Sequence, residues 1–303
     1  MPVPQSCPLC AAAADRQSAV VGRVYGDNNR GVFHCAVCDV RYLHPGLGAE
    51  EEAKLYAAEF ESFMADRAAP GAGWEAPQKH IGANETQRLR RMTHLEPLLR
   101  SSRRILEVGC SSGFMLYPLV ASGHECIGIE PSGVFSDFVR SRGLRCFPTL
   151  ETMIADGKAK ERFDLILHYY VLEHIGDPVA FLRRQLALLR PGGRIVFEVP
   201  NVNDALTTVY EIPAYERFIW VVSHRWYFSE ASLAHAIKAA GGRGEIRLDQ
   251  RYDLSNHLVW ARDGRPGGLG RFTAILGQEI EDQYRQALIE ARRCDTLIGM
   301  VSN

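Results

Sequence analysis

The sequence has no long apolar run and no excess of charge of one sign, and each absence excludes a class of protein. No stretch approaches the about 20 apolar residues that a membrane-spanning helix needs. The N-terminal residues lack the basic and apolar regions of a secretory leader. The 35 Lys and Arg residues nearly balance the 36 Asp and Glu residues, so no overall field attracts nucleic acid. We expect a cytoplasmic protein that acts on neither membranes nor nucleic acids.

The eight cysteines do not indicate a disulfide framework, because such frameworks belong to oxidising compartments. Four are isolated and predict small core residues; these are Cys110, Cys126, Cys146 and Cys294. The other four form two C-x-x-C pairs, CPLC at 7–10 and CAVC at 35–38, which are 24 residues apart.

Two such pairs flanking a short hairpin are typical of a structural zinc site, because each pair directs two thiolates to one tetrahedral ion. The predicted ligands are Cys7, Cys10, Cys35 and Cys38. A module of some 45 residues buries little apolar surface, whereas structural zinc contributes about 10–16 kcal/mol in small peptides. A redox C-x-x-C would instead be a single pair near a βαβ unit. Four thiolates fill the coordination sphere of the ion, so we expect this zinc site to be structural and not catalytic.

A nucleotide-binding loop is indicated by ILEVGCSSGFML, which begins at residue 105 and reads as strand, turn and helix. Glu107 ends the strand, Gly109 permits a tight turn, and Gly113 lets the helix pack closely. A second strand, within HECIGIEPS, ends at Glu130, about 20 residues after the loop, where an acid can hold ribose hydroxyls. Dinucleotide dehydrogenases share this spacing, so these two strands leave the cofactor open.

The following segment, FDLILHYYVLEHIGDPVAFLRRQLALLRPGGRIVFEVPNV, resembles class I S-adenosylmethionine-dependent methyltransferases. The likeness covers about residues 80–262 and includes an E-H-I-x-D-P turn and a helix that ends in L-x-P-G-G. It implies an α/β Rossmann-like domain with a seven-stranded, mostly parallel sheet. The family's loop carries methionine and ribose and has no diphosphate to hold, which fits GCSSG. A dehydrogenase would need further phosphate-loop glycines.

The resemblance also implies a set of cofactor-binding residues. These are Glu107, Gly109, Cys110, Ser111, Gly113, Glu130, Pro131, Ser132, His168 and Tyr169. Glu107 and the loop glycines would line the methionyl end, and Glu130 would hold the two ribose hydroxyls. Residues 131–132 would flank the adenine, while residues 168–169, at a strand end, would lie beside the cofactor and face the acceptor.

A four-cysteine ribbon joined to this domain resembles the nucleotide-sugar C-methyltransferases and related zinc-ribbon methyltransferases of glycan and natural-product pathways. SHRWYFSEASL at 223–233 matches their H-x-x-Y-F-S-x-x-S-L signature. Its histidine, His224, is the implied general base, since an imidazole pKa near 6.5 suits that task. His174 of the E-H-I turn is the second candidate, and Tyr169 is a third catalytic candidate.

Two departures favour O-methylation over C-methylation. The family's Tyr-His-Glu-His tract is replaced by residues 221–224, Val-Val-Ser-His, which lack the tyrosine and glutamate beside the base. About 40 residues follow the predicted NHLVWARDG strand, whereas those enzymes continue into a large third domain. We predict a small hydroxylated acceptor, a sugar, a sugar nucleotide or a natural-product intermediate, and place nucleotide-sugar C-methylation second.

The predicted organisation has four parts: a zinc ribbon (1–45), a helical connector and lid (46–104), a methyltransferase core (105–265) and a C-terminal helical extension (266–303). Helices are expected at 49–66 and 84–99, with Arg88, Arg90 and Arg91 on a solvated face. The apolar stripe of the last helix serves either a homodimer contact or docking of the helix.

Two further functions have weaker support in the sequence. Some guanine methyltransferases of large-subunit rRNA also carry a zinc ribbon, but theirs is basic and has a shorter span between its cysteine pairs. Residues 1–50 of this chain hold four basic side chains, all arginine. A non-catalytic module that keeps the cofactor fold is the other alternative, and the intact Glu107, Glu130 and E-H-I turn argue against it.

Overall fold

The computed structural model describes residues 2–56, 60–68, 71–157 and 162–303. The described chain divides into two compact units. The first unit comprises Met1–Leu47, Leu172–Phe181 and Glu198–Gly299. The second comprises Gly48–Val171, Leu182–Phe197 and Met300–Asn303.

The strands, in chain order, are β1 (Gln17–Val21), β2 (Gly31–Cys35), β3 (Arg41–His44), β4 (Arg104–Val108), β5 (Glu125–Ile129), β6 (Arg145–Phe147), β7 (Phe163–Tyr169), β8 (Leu189–Pro200), β9 (Trp226–Tyr227), β10 (Arg243–Asp249) and β11 (Thr296–Ser302).

The α-helices are α1 (Ala49–Lys54), α2 (Phe60–Arg67), α3 (Pro77–Ala83), α4 (Glu85–Leu99), α5 (Leu116–Ala121), α6 (Gly133–Ser141), α7 (Leu150–Ala155), α8 (Pro178–Leu188), α9 (Ala205–Thr208), α10 (Pro213–Ile219), α11 (Glu230–Ala239), α12 (Leu254–Asp263), α13 (Thr273–Leu276) and α14 (Gln278–Glu290).

The N-terminal hairpin is part of a larger sheet. Its strands pair in the order β1-β2-β3-β9, and all of these pairs are antiparallel. β9 contributes through Arg41 opposite Tyr227 and Tyr42 opposite Trp226. A strand from far along the chain thus completes the sheet of the N-terminal hairpin, and the predicted boundary at residue 45 stays a prediction.

The predicted seven-stranded, mostly parallel sheet is confirmed, with strand order β10-β11-β8-β7-β4-β5-β6. β7, β4, β5 and β6 run parallel to one another. Every residue of β4 is buried, as expected of a central strand covered on both faces. Asp164, near the start of β7, accepts hydrogen bonds from the backbone N–H groups of Arg103 and Arg104, both at 2.8 Å, and so fixes where β4 begins.

The C-terminal part of the prediction needs two corrections. Residues 254–263, which contain all but the final glycine of the predicted NHLVWARDG strand, form α12. The Asp253 carboxylate caps this helix by accepting from Asn256 N–H at 2.8 Å, and Gly264 ends it with a left-handed φ of +62°. The extension over 266–303 is not wholly helical either, since residues 296–302 form β11 inside the large sheet.

The apolar stripe of α14 packs within the first unit. Leu288 is buried, and the Tyr284 hydroxyl lies 2.6 Å from His257 Nδ1 and 2.7 Å from Tyr210 Oη. Docking of this helix therefore accounts for much of the stripe. A homodimer contact stays a prediction.

The helix predicted over 49–66 is represented by α1 and α2, and its residues 57–59 lie outside the described residues. The helix predicted over 84–99 is confirmed as α4. Among the described residues, no helix combines the length and apolarity that crossing a membrane requires.

The turn after β4 requires glycine at its first position. Gly109 has φ +73°, and a Cβ there would lie 2.6 Å from Val171 Cγ2. Valine is branched at Cβ and rotates poorly out of such an overlap. Gly123, between α5 and β5, has φ +91° but no atom within 4 Å of its hypothetical Cβ.

This contrast makes Gly109→Ala and Gly123→Ala a matched pair. Both substitutions incur the left-handed backbone cost of about 1–2 kcal/mol, and Gly109→Ala adds the overlap with Val171. We expect a clearly larger fall in thermal unfolding midpoint for Gly109→Ala. Equal falls would show that the turn is not tightly packed.

Candidate active site

The loop between β4 and α5 folds back onto the end of β5. The N–H groups of Gly109 and Cys110 both donate to the Ile129 carbonyl, at 2.8 and 3.0 Å. Ser111 adopts φ +43° and turns its own N–H toward the next strand end. The loop thus presents backbone N–H groups beside the acidic residue that follows β5.

Glu130, the predicted ribose-binding acid, anchors this loop. Its Oε2 accepts from Ser111 N–H at 2.7 Å, and its Oε1 accepts from Ser132 N–H at 2.9 Å. The carboxylate is 8 % exposed. One carboxylate therefore ties the loop after β4 to the residues that precede α6.

Of the two residues predicted to flank an adenine, one has a structural task. The Ser132 hydroxyl accepts from Phe135 N–H at 3.3 Å and caps α6, and Ser132 is buried. Pro131 is exposed. A planar ligand beside this strand end would therefore meet the proline more readily than the serine.

Glu107 is a buried acid at the floor of the same loop. It is 1 % exposed, and among the described residues its Oε2 has no hydrogen-bond partner. Burial raises the pKa of Glu107 to about 8, a rise that the nearby Arg91 opposes. A cationic group bound here would stabilise the ionised carboxylate.

Arg91 of α4 is a site residue that the sequence reasoning missed. The prediction of a solvated face is wrong for Arg91, which is 6 % exposed. Its Cζ lies 3.9 Å from the centroid of the Tyr169 ring. Arg91 and Leu95 are the buried pair on α4, and this i, i+4 spacing was the available signal. The structure thus places a buried guanidinium beside a buried carboxylate.

The connector also contacts the loop through His80 of α3. Its Nδ1 lies 2.9 Å from Ser112 Oγ, and burial lowers the pKa of His80 to about 4. Trp74 packs edge-on against this ring at 4.6 Å, and Phe135 does so at 5.4 Å. A neutral, aromatic-packed histidine therefore fixes the loop serine, which no sequence motif had indicated.

His168 does not face an acceptor as predicted. It is fully buried in β7, opposite Val108 of β4, and its ring stacks on Phe197 with centroids 4.6 Å apart. Burial lowers the pKa of His168 to about 3, so the ring is neutral. Tyr169 is also buried, with the Arg91 guanidinium over its ring, and its catalytic role stays a prediction.

The two candidate bases, His174 and His224, form one cluster with Glu173. The two rings lie 4.9 Å apart in an edge-on arrangement. His174 Nε2 is 4.0 Å from Glu173 Oε1, and His174 Nδ1 lies 2.8 Å from the Ser223 carbonyl oxygen. The histidines predicted as competitors are therefore neighbours.

Glu173 is a carboxylate in the same cluster as His224, although the tract at 221–224 has no acid next to that histidine. It is 1 % exposed, and neither of its carboxylate oxygens has a hydrogen-bond partner among the described residues. Burial raises the pKa of Glu173 to about 8; Glu198 adds to the rise and Arg251 opposes it. The E-H-I motif contained this acid, but sequence order gave no sign that it lies beside His224.

The four predicted metal ligands converge in the first unit. Cys7 Sγ lies 3.7 Å from Cys38 Sγ, and Cys10 Sγ lies 3.6 Å from Cys35 Sγ. All four sulfur atoms lie within 4.8 Å of one another. Four thiolates at about 2.3 Å from one tetrahedral ion would be about 3.8 Å apart, so the cluster has the dimensions of a metal site.

The isolated cysteines are buried, as predicted. Cys110 Sγ and Cys146 Sγ lie 3.9 Å apart behind the loop, and Cys126 and Cys294 are likewise inside the fold. Cys110 thus contributes packing to the loop, because its thiol points into the interior and away from any ligand surface.

Comparison with known proteins adds a family match. Residues 81–243, more than half of the chain, match the family model described as a methyltransferase domain. A ubiquinone biosynthesis O-methyltransferase of Bradyrhizobium sp. (strain ORS 278) is 33% identical over 106 residues, which are 34% of this chain and 42% of that protein. Its namesake from Cereibacter sphaeroides (strain ATCC 17029 / ATH 2.4.9) is 29% identical over 173 residues, 54% and 69% of the two chains. The aligned region thus spans about two fifths of the first of these relatives.

Solved structures align with this chain at lower sequence identity. A SAM dependent methyltransferase from Archaeoglobus fulgidus aligns with a TM-score of 0.48 at 16% identity, over 72% of this chain and 92% of that one. The plantazolicin methyltransferase BamL, solved with a triazolic analogue and SAH, aligns with a TM-score of 0.49 at 14% identity, over 80% and 96% of the two chains.

Proposed function

The chain belongs to the methyltransferase domain family, and from that premise we propose that it transfers a methyl group from S-adenosylmethionine to a hydroxyl of a small acceptor. The observation that carries the proposal is the Glu130 carboxylate, which follows β5 and accepts hydrogen bonds from the Ser111 and Ser132 N–H groups. Bound S-adenosylmethionine supplies a methyl group already activated by its sulfonium. The protein's task is then alignment and exclusion of water.

The buried charges of the second unit fit the two ends of this cofactor. Glu130 would accept from the ribose hydroxyls. Glu107, whose Oε2 has no hydrogen-bond partner among the described residues, would accept from the methionyl ammonium. Arg91 would pair with the methionyl carboxylate, since its buried guanidinium is more weakly hydrated than an ammonium. A nucleoside with a zwitterionic tail satisfies these groups, whereas a diphosphate would place negative charge beside Glu107.

The acceptor side is assigned to the cluster of Glu173, His174 and His224. We propose that this cluster, and not a single histidine, activates the acceptor hydroxyl. The names of the relatives support O-methylation, since those proteins are O-methyltransferases. The signature at 223–233 supports a sugar, a sugar nucleotide or a related natural-product intermediate as acceptor.

C-methylation of a nucleotide sugar is the second candidate, and Glu173 favours it. The sequence tract at 221–224 has no carboxylate next to His224. In the fold, Glu173 of the E-H-I turn lies in the same cluster as His224, and its Oε1 is 4.0 Å from His174 Nε2. Transfer of a labelled methyl group, followed by mass fragmentation of the product, separates the two reactions by the atom that carries the label.

We also propose that Cys7, Cys10, Cys35 and Cys38 hold one structural zinc ion. The proposal is supported by sulfur separations of 3.6 and 3.7 Å. Gln17 Nε2 lies 3.7 Å from Cys35 Sγ and would stabilise its thiolate, while the Tyr42 hydroxyl donates to Gln17 Oε1 at 2.9 Å.

Cys10→Ser should therefore lower the zinc content by about one ion per chain and lower the thermal unfolding midpoint, because the metal would link the two C-x-x-C pairs in the folded state only. Elemental analysis of the purified protein measures the loss. Cys126→Ala, outside the cluster, should leave the zinc content unchanged. Equal zinc contents in wild type and Cys10→Ser would remove the zinc site.

Glu130→Ala should weaken binding of S-adenosylmethionine by roughly ten- to a hundredfold, through loss of the ribose hydrogen bonds. Titration calorimetry measures the affinity, and thermal unfolding checks the fold. Glu151→Ala, at an exposed position on α7, is the matched control and should bind as wild type does. Unchanged affinity in Glu130→Ala would mean that this strand end does not hold the cofactor.

His224→Ala and His174→Ala should each lower kcat by roughly 10²–10⁴ and leave the affinity for S-adenosylmethionine near wild type, because the cluster acts on the acceptor. The assay uses a labelled methyl group and an acceptor identified from a panel of sugar nucleotides and small hydroxylated compounds. His235→Ala, an exposed histidine on α11, should retain full turnover. Full turnover in both cluster variants would assign the acceptor side elsewhere.

A further inference from the structure

The Glu173 carboxylate has an unmet electrostatic requirement in the fold. It is 1 % exposed, and neither oxygen has a hydrogen-bond partner among the described residues. A buried ionised carboxylate is strongly unfavourable unless a cation or hydrogen-bond donors compensate it. Arg251 interacts with Glu173 through charge, but the buried Glu198 acts in the opposite direction. The site is therefore built for a further positive charge.

The ring of the neighbouring His174 is oriented by a hydrogen bond of the kind that metal-binding histidines make. Its Nδ1 lies 2.8 Å from the Ser223 carbonyl oxygen, which can only accept, so Nδ1 carries the proton. In the neutral ring the lone pair is then on Nε2, the nitrogen 4.0 Å from Glu173 Oε1. Ligating histidines commonly donate their other nitrogen to a carbonyl or carboxylate in this way.

The geometry points to a binding site for one divalent transition-metal cation, formed by Glu173, His174 and His224. One ligand atom from each residue lies within 4.8 Å of the other two. Ligands at about 2.0–2.2 Å from one cation span at most about 4.4 Å, so the site closes with side-chain shifts of a few tenths of an ångström.

Two imidazoles and one carboxylate suit zinc, cobalt, nickel or ferrous iron better than magnesium or calcium, which prefer oxygen ligands. The set differs in kind from the four-cysteine cluster. Four thiolates close a tetrahedral site, whereas three protein ligands leave a position for water or a ligand oxygen. Resting on the proposed function, we assign that open position to the acceptor oxygen, whose negative charge the cation would stabilise.

Titration of the 303-residue chain with Co²⁺ tests the site, with the four-cysteine cluster zinc-loaded beforehand. We expect calorimetry to give one Co²⁺ per chain, and the visible spectrum to lack thiolate-to-cobalt charge transfer. Glu173→Gln keeps the side-chain volume and removes the charge; it should weaken Co²⁺ binding at least tenfold, and His224→Ala should do the same. His235→Ala should bind as wild type does.

Thermal unfolding gives a second measurement of metal binding, which also shows whether the Glu173→Gln variant is folded. Co²⁺ should raise the midpoint of the wild type and leave that of Glu173→Gln unchanged. With chelator present, Glu173→Gln should unfold near the wild-type temperature, because burial raises the pKa of Glu173 to about 8 and glutamine replaces a largely protonated side chain of similar volume.

Absence of a cobalt site in the wild type would overturn the inference, as would wild-type affinity for Co²⁺ in both Glu173→Gln and His224→Ala. Either result leaves the proposed function standing if the protein still transfers methyl groups in the presence of chelator. Conversely, the protein could bind cobalt at this cluster and methylate none of the hydroxylated acceptors. That result would support the metal site and contradict the O-methyltransferase assignment.

Discussion

The candidate cofactor site depends on one interaction, the bonding of the Glu130 carboxylate to two backbone N–H groups. Ser111 N–H and Ser132 N–H both donate to it, so a single side chain fixes the loop after β4 and the start of α6. Charge-assisted bonds of this kind contribute about 1.5–3 kcal/mol each, which outweighs the cost of the left-handed turn at Ser111. Without them the bonds of the Gly109 and Cys110 N–H groups to the Ile129 carbonyl would still hold the start of the loop, but Ser111 would lose its partner. The left-handed glycines and the packing of His80 on Ser112 then tighten a loop that Glu130 has already placed.

Each candidate site contains a buried carboxyl group with at least one oxygen that has no hydrogen-bond partner among the described residues. Glu107 in the second unit and Glu173 in the first are each 1 % exposed with a raised pKa, and in both cases burial is the main cause. A protein that held these acids for stability alone would pair them with donors, as it pairs Asp164 with two backbone N–H groups. We take the missing donors as places for a ligand: an ammonium at Glu107 and a cation at Glu173. Perturbed acids in such positions are common at functional sites.

What the sequence could predict was decided by spacing along the chain. The two C-x-x-C pairs, and the acid about 20 residues after the loop, are local patterns, and the four thiols and Glu130 lie as those patterns require. The roles of Arg91 and His80 were not predicted, because they arise from packing of α3 and α4 against neighbouring elements and no local motif indicates such contacts. The wrong strand prediction at α12 could have been avoided from the sequence. Asp253 and Gly264 are typical helix caps on either side of a segment whose apolar residues suggested a strand. β9 could not have been predicted, because a strand of two residues gains its identity from the partner it meets, whereas the apolar run TLIGMV of the seven-residue β11 was a local signal that the prediction missed.

The central claim is that the loop and Glu130 hold a nucleoside with an amino-acid tail and no diphosphate. Titration calorimetry of the 303-residue chain with S-adenosylhomocysteine and, separately, with NAD⁺ tests it most directly. We predict that S-adenosylhomocysteine binds with one molecule per chain and that NAD⁺ binds at least a hundredfold more weakly, because its diphosphate would meet the Glu107 carboxylate and a loop without further glycines. Tight binding of NAD⁺, or no binding of S-adenosylhomocysteine, would contradict the account.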